Sequence, residues 1–555
     1  MSRPLFCACV LVLAWLLPAV AVPPDEGPAV RCGTNWLRRE RAAGRMQLPQ
    51  PVPASASKRA QDSAPIQVGT ELLFPVGGGS GSLIPATCQR VGAHAYVFVE
   101  NRHWDTNGGS ILQSHVDALS ELFDTTSPAD PTRGVYELEI ETFGAAADVD
   151  GDPRIFLLVL DIIQGNVVGY FDPAVAAYEI PEYRRDVLFI GEKKLRRSNY
   201  LALGTLAHEF QHLIHWGWDE DEDIWVDEGL SGFAEELVGF PEADPNAVPQ
   251  FLQSPHTSLT DWNFTSATRS YGVTYLFMSF LAERYGARLI SEFVAQPRNG
   301  TAGLDAAMEA RQETDRFIDV WQKWTVGNYA AAETGFGYGA LGQRRVQTLD
   351  VEIDMLPLEN APLGISGRWG TANVLFRTPG DLLIDFDASD DVGRYNVWTY
   401  AMSPAGATLR EVVIGSNNRG LAQLSGIDSA LVIVGRTSQQ GQNFRLSARA
   451  SKPTVVDEVA VLRAAPALAP AYPNPFNSSV RIPYNVAMQA DVELAIYDLA
   501  GQQVRRLVSQ ARAPGRYEVV WDGLDAAGHA AASGTYLTRL RLNANEHVQR
   551  LSLIR

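Results

Sequence analysis

The sequence predicts a multidomain chain with an α+β domain first and two all-β sandwich domains after it. Three observations carry this expectation. The chain has 555 residues, too many for one ordinary domain. Up to about residue 334, strand-like runs give way to long stretches with helical spacing. Beyond that point short apolar runs recur about every ten residues between Gly, Asn, Asp and Ser turns.

Composition narrows the function classes. Hydrophobic residues make up 46% and charged residues 20%, so the chain can bury cores and is not a disordered polymer. The formal net charge is -18 with no long Lys/Arg groove, which argues against nucleic acid as a partner. Residues 1–21 read as a secretory signal: Arg3 gives a positive start, Phe6 to Leu17 is apolar, and Ala19-Val20-Ala21 ends it. The run is too short to span a bilayer comfortably, and no later segment offers about 18 uncharged apolar residues. The expectation is a protein without an integral membrane span, secreted or held at a bacterial cell surface.

Residues 22–66 are rich in Pro, Ala and Arg without a sustained period, and are read as a pro-segment or an N-terminal arm. The α+β domain is placed at 67–334. Its strands are expected at Ala95–Glu100, Arg154–Ile162 and Val187–Ile190, with a helix over Ser110–Phe123. Further helices are expected at 199–215, 227–240, 271–285, 286–295 and 301–327. A first β-sandwich is placed at 335–450. A Pro/Ala-rich linker follows at 451–470, and a second, Ig-like sandwich of about seven short strands at 471–555.

The chemistry concentrates in residues 205–216, TLAHEFQHLIHW. His208 and His212 are four apart, so on a helix they share one face and can reach one zinc ion. Glu209 lies beside His208, placed to take a proton from the attacking water. Two residues compete to be the third ligand. His208 and His215 stand about 10 Å apart along a straight helix, too far for one ion. Glu228, returning on the next helix, is therefore the better candidate. His215 is left to the surroundings of the site, and Glu235 or Glu236 to orient a ligating histidine. Tyr271 and Tyr275 are candidates to stabilise the oxyanion, and fit equally well as core aromatics of an amphipathic helix.

The stretch HEFQHLIHW followed by WVDEGLSGFAEEL resembles the hyicolysin-like secreted metallopeptidases, a branch of the glutamate-zincins. DVDGDPRIFLLVLDI, GNVVGYFDP and YGVTYLFMSFLAERYG extend the resemblance over roughly residues 90–325. It implies a zincin-like fold, one zinc per chain held by His208, His212 and Glu228, and Glu209 as the catalytic base. The metzincin pattern is not met: position 215 is His where that pattern has Gly, and 218 is Trp where it has His. Residues 471–555 resemble the sorting domains at the ends of exported bacterial proteins, through Tyr472-Pro473-Asn474-Pro475-Phe476-Asn477, Val520-Trp521-Asp522-Gly523 and Ser533-Gly534-Thr535-Tyr536. That resemblance implies passage by the type IX route, contact with secretion machinery or attachment to the cell surface, on an Ig-like module related to flagellar hook-assembly proteins.

Two further features are open. Cys32 and Cys88 follow the signal, and in an oxidising compartment they most simply pair as a disulfide. Alternatively, Arg31-Cys32-Gly33 resembles the cysteine switch of matrix-type metallopeptidases, where a thiolate plugs the zinc. The missing metzincin pattern weighs against that. Asp148, Asp150 and Asp152, and the run containing Asp219, Asp221 and Asp223, offer oxygen ligands for calcium, or tight turns and solvated charge instead. The reading of the whole is a zinc endopeptidase acting on protein or peptide substrates. A zinc aminopeptidase, or an inactive surface adhesion protein on a peptidase scaffold, are the alternatives.

Overall fold

The computed structural model describes residues 32–45, 65–76, 82–105, 109–162, 167–197, 199–241, 244–334, 336–342, 344, 346, 349–365, 367–451, 467–486, 488–513, 515–543 and 545–554. The expected signal segment and most of the expected linker lie outside them.

The first sheet has six strands: β1 (Glu71–Val76), β2 (Ser82–Val91), β3 (Ala95–Glu100), β4 (Ile155–Leu160), β5 (Gly169–Phe171) and β6 (Val187–Gly191). Their order is β1-β2-β3-β4-β6-β5. The β3–β4 and β4–β6 pairs are parallel, and β5 lies antiparallel on β6 at the sheet edge. β3 and β4 are apolar at nearly every position because both faces are covered. Val97, Val99, Leu157 and Val159 face the main helical core. Phe98, Phe156 and Leu158 face a second core with Phe74, Cys88 and Leu37.

The helices are α1 (Thr34–Ala42), α2 (Gln113–Asp124), α3 (Val135–Phe143), α4 (Pro173–Ala176), α5 (Glu192–Arg197), α6 (Asn199–Trp218), α7 (Ile224–Leu237), α8 (Ala247–Leu252), α9 (Ala267–Tyr285), α10 (Ala287–Val294), α11 (Gly300–Ala310) and α12 (Phe317–Thr334). The sequence missed β1, β2, β5, α1, α3, α4, α5 and α8, and merged α11 with α12. α1 follows from its composition, since Leu, Arg, Glu and Ala are good helix formers. α6 carries Leu206, Ala207, Phe210, Leu213 and Ile214 in the core, and its polar residues His208, Glu209, Gln211 and His212 are also buried. Such a helix must satisfy those polar groups internally.

α7 turns back along α6 and is clamped against α9. A Cβ on Gly229 would meet Met278 Cγ at 2.9 Å and the Thr274 carbonyl oxygen at 3.1 Å. The absent side chains at Gly229 and Gly232 let the two helices approach closely, and Tyr275 packs against Gly232.

Several distinct β-sheets follow. Strands β7 (Val351–Ile353), β8 (Leu358–Gly364), β9 (Thr371–Phe376), β10 (Gly380–Asp387), β11 (Tyr395–Ser403), β12 (Gly406–Val412), β13 (Arg419–Ile427), β14 (Ser429–Arg436) and β15 (Asn443–Ala450) form two sheets. Their orders are β13-β10-β15-β8 and β12-β11-β14-β9-β7, around one shared core. The last sheets contain β16 (Val480–Val486), β17 (Ala490–Tyr497), β18 (Gln503–Arg512), β19 (Gly515–Trp521), β20 (Gly534–Leu542) and β21 (Asn545–Leu553). That gives six strands among the described residues, where about seven were expected. They pair as β16-β19 and β18-β17-β20-β21 around buried Trp521, whose ring meets those of Phe476 and Tyr536. Among the described residues, no helix is long and apolar enough to cross a membrane.

Candidate metal centre

The spacing of the two histidines on α6 turns both rings the same way. Their ring centroids are 4.9 Å apart. The His208 Nε2 lies 3.1 Å from Glu228 Oε2, and the His212 Nε2 lies 3.8 Å from the same oxygen. Glu228 stands one turn into α7, and the acidic connection 219–223 is short enough to fold α7 back beside α6. One donor atom from each of Cys32, His208, His212 and Glu228 falls within 4.8 Å of all the others, and all four residues are buried. Two imidazoles, a carboxylate and a thiol at this separation are suited to one metal ion.

The outward-facing ring nitrogens are held as well. His208 Nδ1 is 3.0 Å from Glu235 Oε1, and His212 Nδ1 is 2.9 Å from Asp227 Oδ1 and 3.2 Å from Ser231 Oγ. On α7, Glu228 and Glu235 are seven residues apart and Asp227 and Ser231 four apart, so each pair shares a helix face. Glu236 points elsewhere, accepting a hydrogen bond from Ser279. The His215 Nδ1 is 3.5 Å from Asp227 Oδ1, outside the four-residue cluster. Asp227 was missed in the sequence, although its place one residue before Glu228 and four before Ser231 was a usable signal. Glu139 on α3 was missed too. It is fully buried, and burial foremost, then the Glu235 charge, pushes its carboxyl well up against the opposing pull of His208.

Glu209 Oε2 accepts hydrogen bonds from the Phe171 backbone N–H at 3.0 Å and from Thr34 Oγ1 at 3.0 Å. The first ties the glutamate to edge strand β5. Gly169 makes that approach feasible, since a Cβ there would meet the Phe189 carbonyl oxygen at 2.8 Å and Thr205 Cγ2 at 2.9 Å. Burial raises the Glu209 carboxyl, partly offset by His208 and His212. Burial lowers both imidazoles, but their carboxylate partners outweigh it, and His208 is pushed up to about 10. The group carries more carboxylate than two imidazoles neutralise, an imbalance that a divalent cation corrects. Burial, then the charges of Glu209 and Glu228, pushes the Cys32 thiol well above its ordinary range.

The expected disulfide is absent, as both cysteines are free. Cys88 sits on β2 inside the second core and its thiol donates to the Arg90 carbonyl oxygen. Cys32 forms a parallel bridge to Gly169 on β5, and its Sγ is 3.3 Å from His212 Nε2. Cys32 thus stands with His208, His212 and Glu228, while Cys88 lies in the second core.

Tyr271 faces the site, its ring 6.3 Å from that of His208 and edge-on to Trp262. Tyr275 belongs to the packed α7–α9 seam. The three aspartates read as calcium ligands or turn residues do not stay together. Asp148 and Asp150 meet buried Asp186, while Asp152 accepts from Tyr96 Oη and the Arg154 N–H. Asp148 and Asp150 also close tight turns by accepting from the N–H groups of Gly151 and Asp152. Among the described residues, Asp219, Asp221 and Asp223 are not gathered into such a group. That connection is pinned by Glu222, which accepts from the Gly300 N–H at 2.7 Å.

Comparison with known proteins adds two findings. Residues 477–545 match the FlgD Ig-like domain family, so the last β-sheets include an Ig-like module. A neutral metalloprotease, ShpI of Staphylococcus hyicus, is 24% identical over 288 residues, covering 46% of this chain and 63% of that relative. The chain therefore spans under two thirds of that relative's length. Among solved structures, PorZ of Porphyromonas gingivalis, described as a surface component of the type-IX secretion system, is 15% identical over 28% of this chain and 22% of its own, with a TM-score of 0.13. Dimeric latent PorU of the same organism is 15% identical over 36% and 20%, with a TM-score of 0.18. Scores this low carry no fold assignment. The chain is thus a distant relative of a bacterial metalloprotease, with a buried His/His/Glu/Cys cluster compatible with a metal-binding active site.

Proposed function

We propose that the protein is a secreted zinc-dependent endopeptidase. The observation that carries this reading is the convergence of His208 Nε2, His212 Nε2 and the Glu228 carboxylate on one buried point, with Glu209 beside it. Zinc in that position supplies Lewis acidity to the water and to the scissile carbonyl. Glu209 takes the proton from the attacking water and passes it to the leaving amine. Glu235 and Asp227 fix the ring planes of the two histidines. Tyr271, whose ring lies 6.3 Å from that of His208, is the candidate to donate to the developing oxyanion. Edge strand β5 offers backbone groups to an extended peptide, which favours internal cleavage over removal of single N-terminal residues. The intact Glu209 favours an enzyme over an inactive adhesion scaffold.

The Ig-like module and the sorting-type motifs around it support an extracellular or surface location, with export or attachment through that end of the chain. The test of the activity is metal analysis together with casein hydrolysis, with and without a zinc chelator. About one zinc per chain and internal cuts that stop on chelation are expected. Hydrolysis that survives metal removal sinks the reading.

A further inference from the structure

The segment from Cys32 onward touches His212, Glu209, Glu228 and edge strand β5. Cys32 Sγ lies 3.3 Å from His212 Nε2 and 3.6 Å from Glu209 Oε2. The Gly33 N–H donates to the Gly169 carbonyl oxygen at 2.9 Å, taking a backbone acceptor of edge strand β5. Thr34 Oγ1 donates to Glu209 Oε2 at 3.0 Å, and Asn35 Nδ2 donates to Glu228 Oε1 at 2.6 Å. Cys32, Thr34 and Asn35 are buried. Farther along α1, Arg38 pairs with Asp227 at 3.5 Å, and Arg41 makes a two-pronged bond to buried Asp172.

Four consecutive residues thus engage the second histidine, the edge strand, the base and the third ligand. A water or a peptide cannot occupy the same volume. The segment is also a poor substrate. It turns into helix α1 at Thr34, directly after the single bridge at Cys32, so it lays no extended strand across the site. We infer that residues 32–45 are an inhibitory arm that holds the peptidase latent, with Cys32 as a fourth, sulfur ligand closing the metal site. This rests on the proposed zinc peptidase reading.

Chemically, ligation exchanges the S–H bond of Cys32 for a sulfur–metal bond and passes the proton to bulk water. Release breaks the sulfur–metal bond, returns a proton to sulfur, and leaves the position open. No oxidant or reductant is required. Structural zinc sites carry four protein ligands and catalytic ones keep one position for water, so adding or removing Cys32 converts one kind into the other. Arg41 and Asp172 act as the strap that keeps the arm seated, clear of the metal cluster itself.

The test uses the full chain loaded with cobalt(II) in place of zinc. One cobalt per chain is expected, with a sulfur-to-cobalt charge-transfer band in the near ultraviolet. Cys32→Ser should keep the cobalt and lose the band. Alkylation of Cys32 by iodoacetamide, read by peptide mapping with Cys88 as internal control, should speed up at least about tenfold when the metal is stripped. Casein hydrolysis should rise at least about tenfold in Cys32→Ser, and should also rise in Arg41→Ala. A merely structural arm would give a fall instead, as would a misfolded variant. Cobalt bound without a sulfur band, and no gain of hydrolysis in either variant, would overturn the arm and leave the peptidase reading standing. No cobalt bound to either the full chain or Cys32→Ser would overturn both.

Discussion

Glu235 Oε1 sits 3.0 Å from His208 Nδ1, on the side of the ring opposite the Nε2 that faces Glu228. The contact fixes which nitrogen of His208 is available to a metal and raises its basicity. Glu235→Ala should therefore weaken metal affinity by about 10- to 100-fold, measured by competition against a chelator of known strength. Affinity equal to that of the parent chain would mean that helix packing alone orients the ring.

Glu209 is the group whose loss should separate binding from chemistry. Glu209→Gln keeps the acceptor for Phe171 N–H and Thr34 Oγ1 but cannot take a proton. General-base removal costs about 10²- to 10⁴-fold in rate, so casein hydrolysis should fall by at least that range in an arm-released background. Metal analysis should still give about one zinc per chain. Activity close to the parent value would remove Glu209 from its assigned role.

Glu228 and His215 compete on chemistry, and the geometry separates them. Glu228 belongs to the cluster, whereas His215 lies outside it, 3.5 Å from Asp227. Glu228→Ala should empty the site under dialysis conditions that leave His215→Ala loaded. The reverse result would make the third ligand wrong.

The part of the site that was legible in the sequence is the part made by local geometry. His208 and His212 are one turn apart, and any helix brings them to one face. Glu228 follows from a tight return between two helices, again a local relation, whereas the choice between Glu235 and Glu236 needed the helix packing, which turns Glu235 to His208 and Glu236 to Ser279. Cys32 was legible only as one of two alternatives, through the resemblance of Arg31-Cys32-Gly33 to a cysteine switch, and not from local geometry, because its partners Glu209 and His212 are 177 and 180 residues away. The three-residue strand β5 that receives it is too short to show a period. Pairing Cys32 with Cys88 rested on counting thiols, a rule that ignores a competing metal cluster. Glu139 was hidden for a different reason: on α3 an acidic residue reads as solvated until the fold places His208 and Glu235 against it. The β-strands of the later sheets were legible where both sides alternate or saturate, as in SALVIVG, and missed at Leu358–Gly364 and Arg419–Ile427, whose largely exposed or half-buried patterns carry little apolar signal.

Gly229 tests the seam that positions Glu228. A methyl group there would press on Met278 Cγ at 2.9 Å and on the Thr274 carbonyl oxygen at 3.1 Å, and the latter is helix backbone that cannot step aside. Gly229→Ala gains helix propensity on α7 of about 1 kcal/mol. Overpacking costs about 1–3 kcal/mol, so the net effect should be a lower Tm, seen by thermal unfolding. Because α7 carries Glu228 and Glu235, metal affinity should fall with it. A raised Tm would show that α7 and α9 can separate freely.

Glu222 gives a pH dependence whose sign can be worked out. Its carboxyl is pushed up to about 8, by burial first. The N–H groups of Gly300 and Asp223 pull the other way, and the charges of Asp219 and Asp223 add to the rise. In the unfolded chain a glutamate titrates near 4.3. Between those values the native state keeps a proton that the unfolded state has lost, so stability falls as pH rises through the window. The contribution is fully present below about pH 4, shrinks by about 1.4 kcal/mol per pH unit at its steepest, and is level above about pH 8. Glu222→Gln keeps an acceptor for the Gly300 N–H and cannot ionise. The variant should match the parent at pH 4 and exceed it by a few kcal/mol at pH 8, by denaturant unfolding at fixed metal content. Taking the difference between the two proteins cancels the other titrating groups, the similarly raised Asp186 among them. A variant that tracks the parent across the window would place the Glu222 carboxylate in contact with solvent or with a cation, and the strap between the α6–α7 connection and α11 would then owe nothing to a protonated acid.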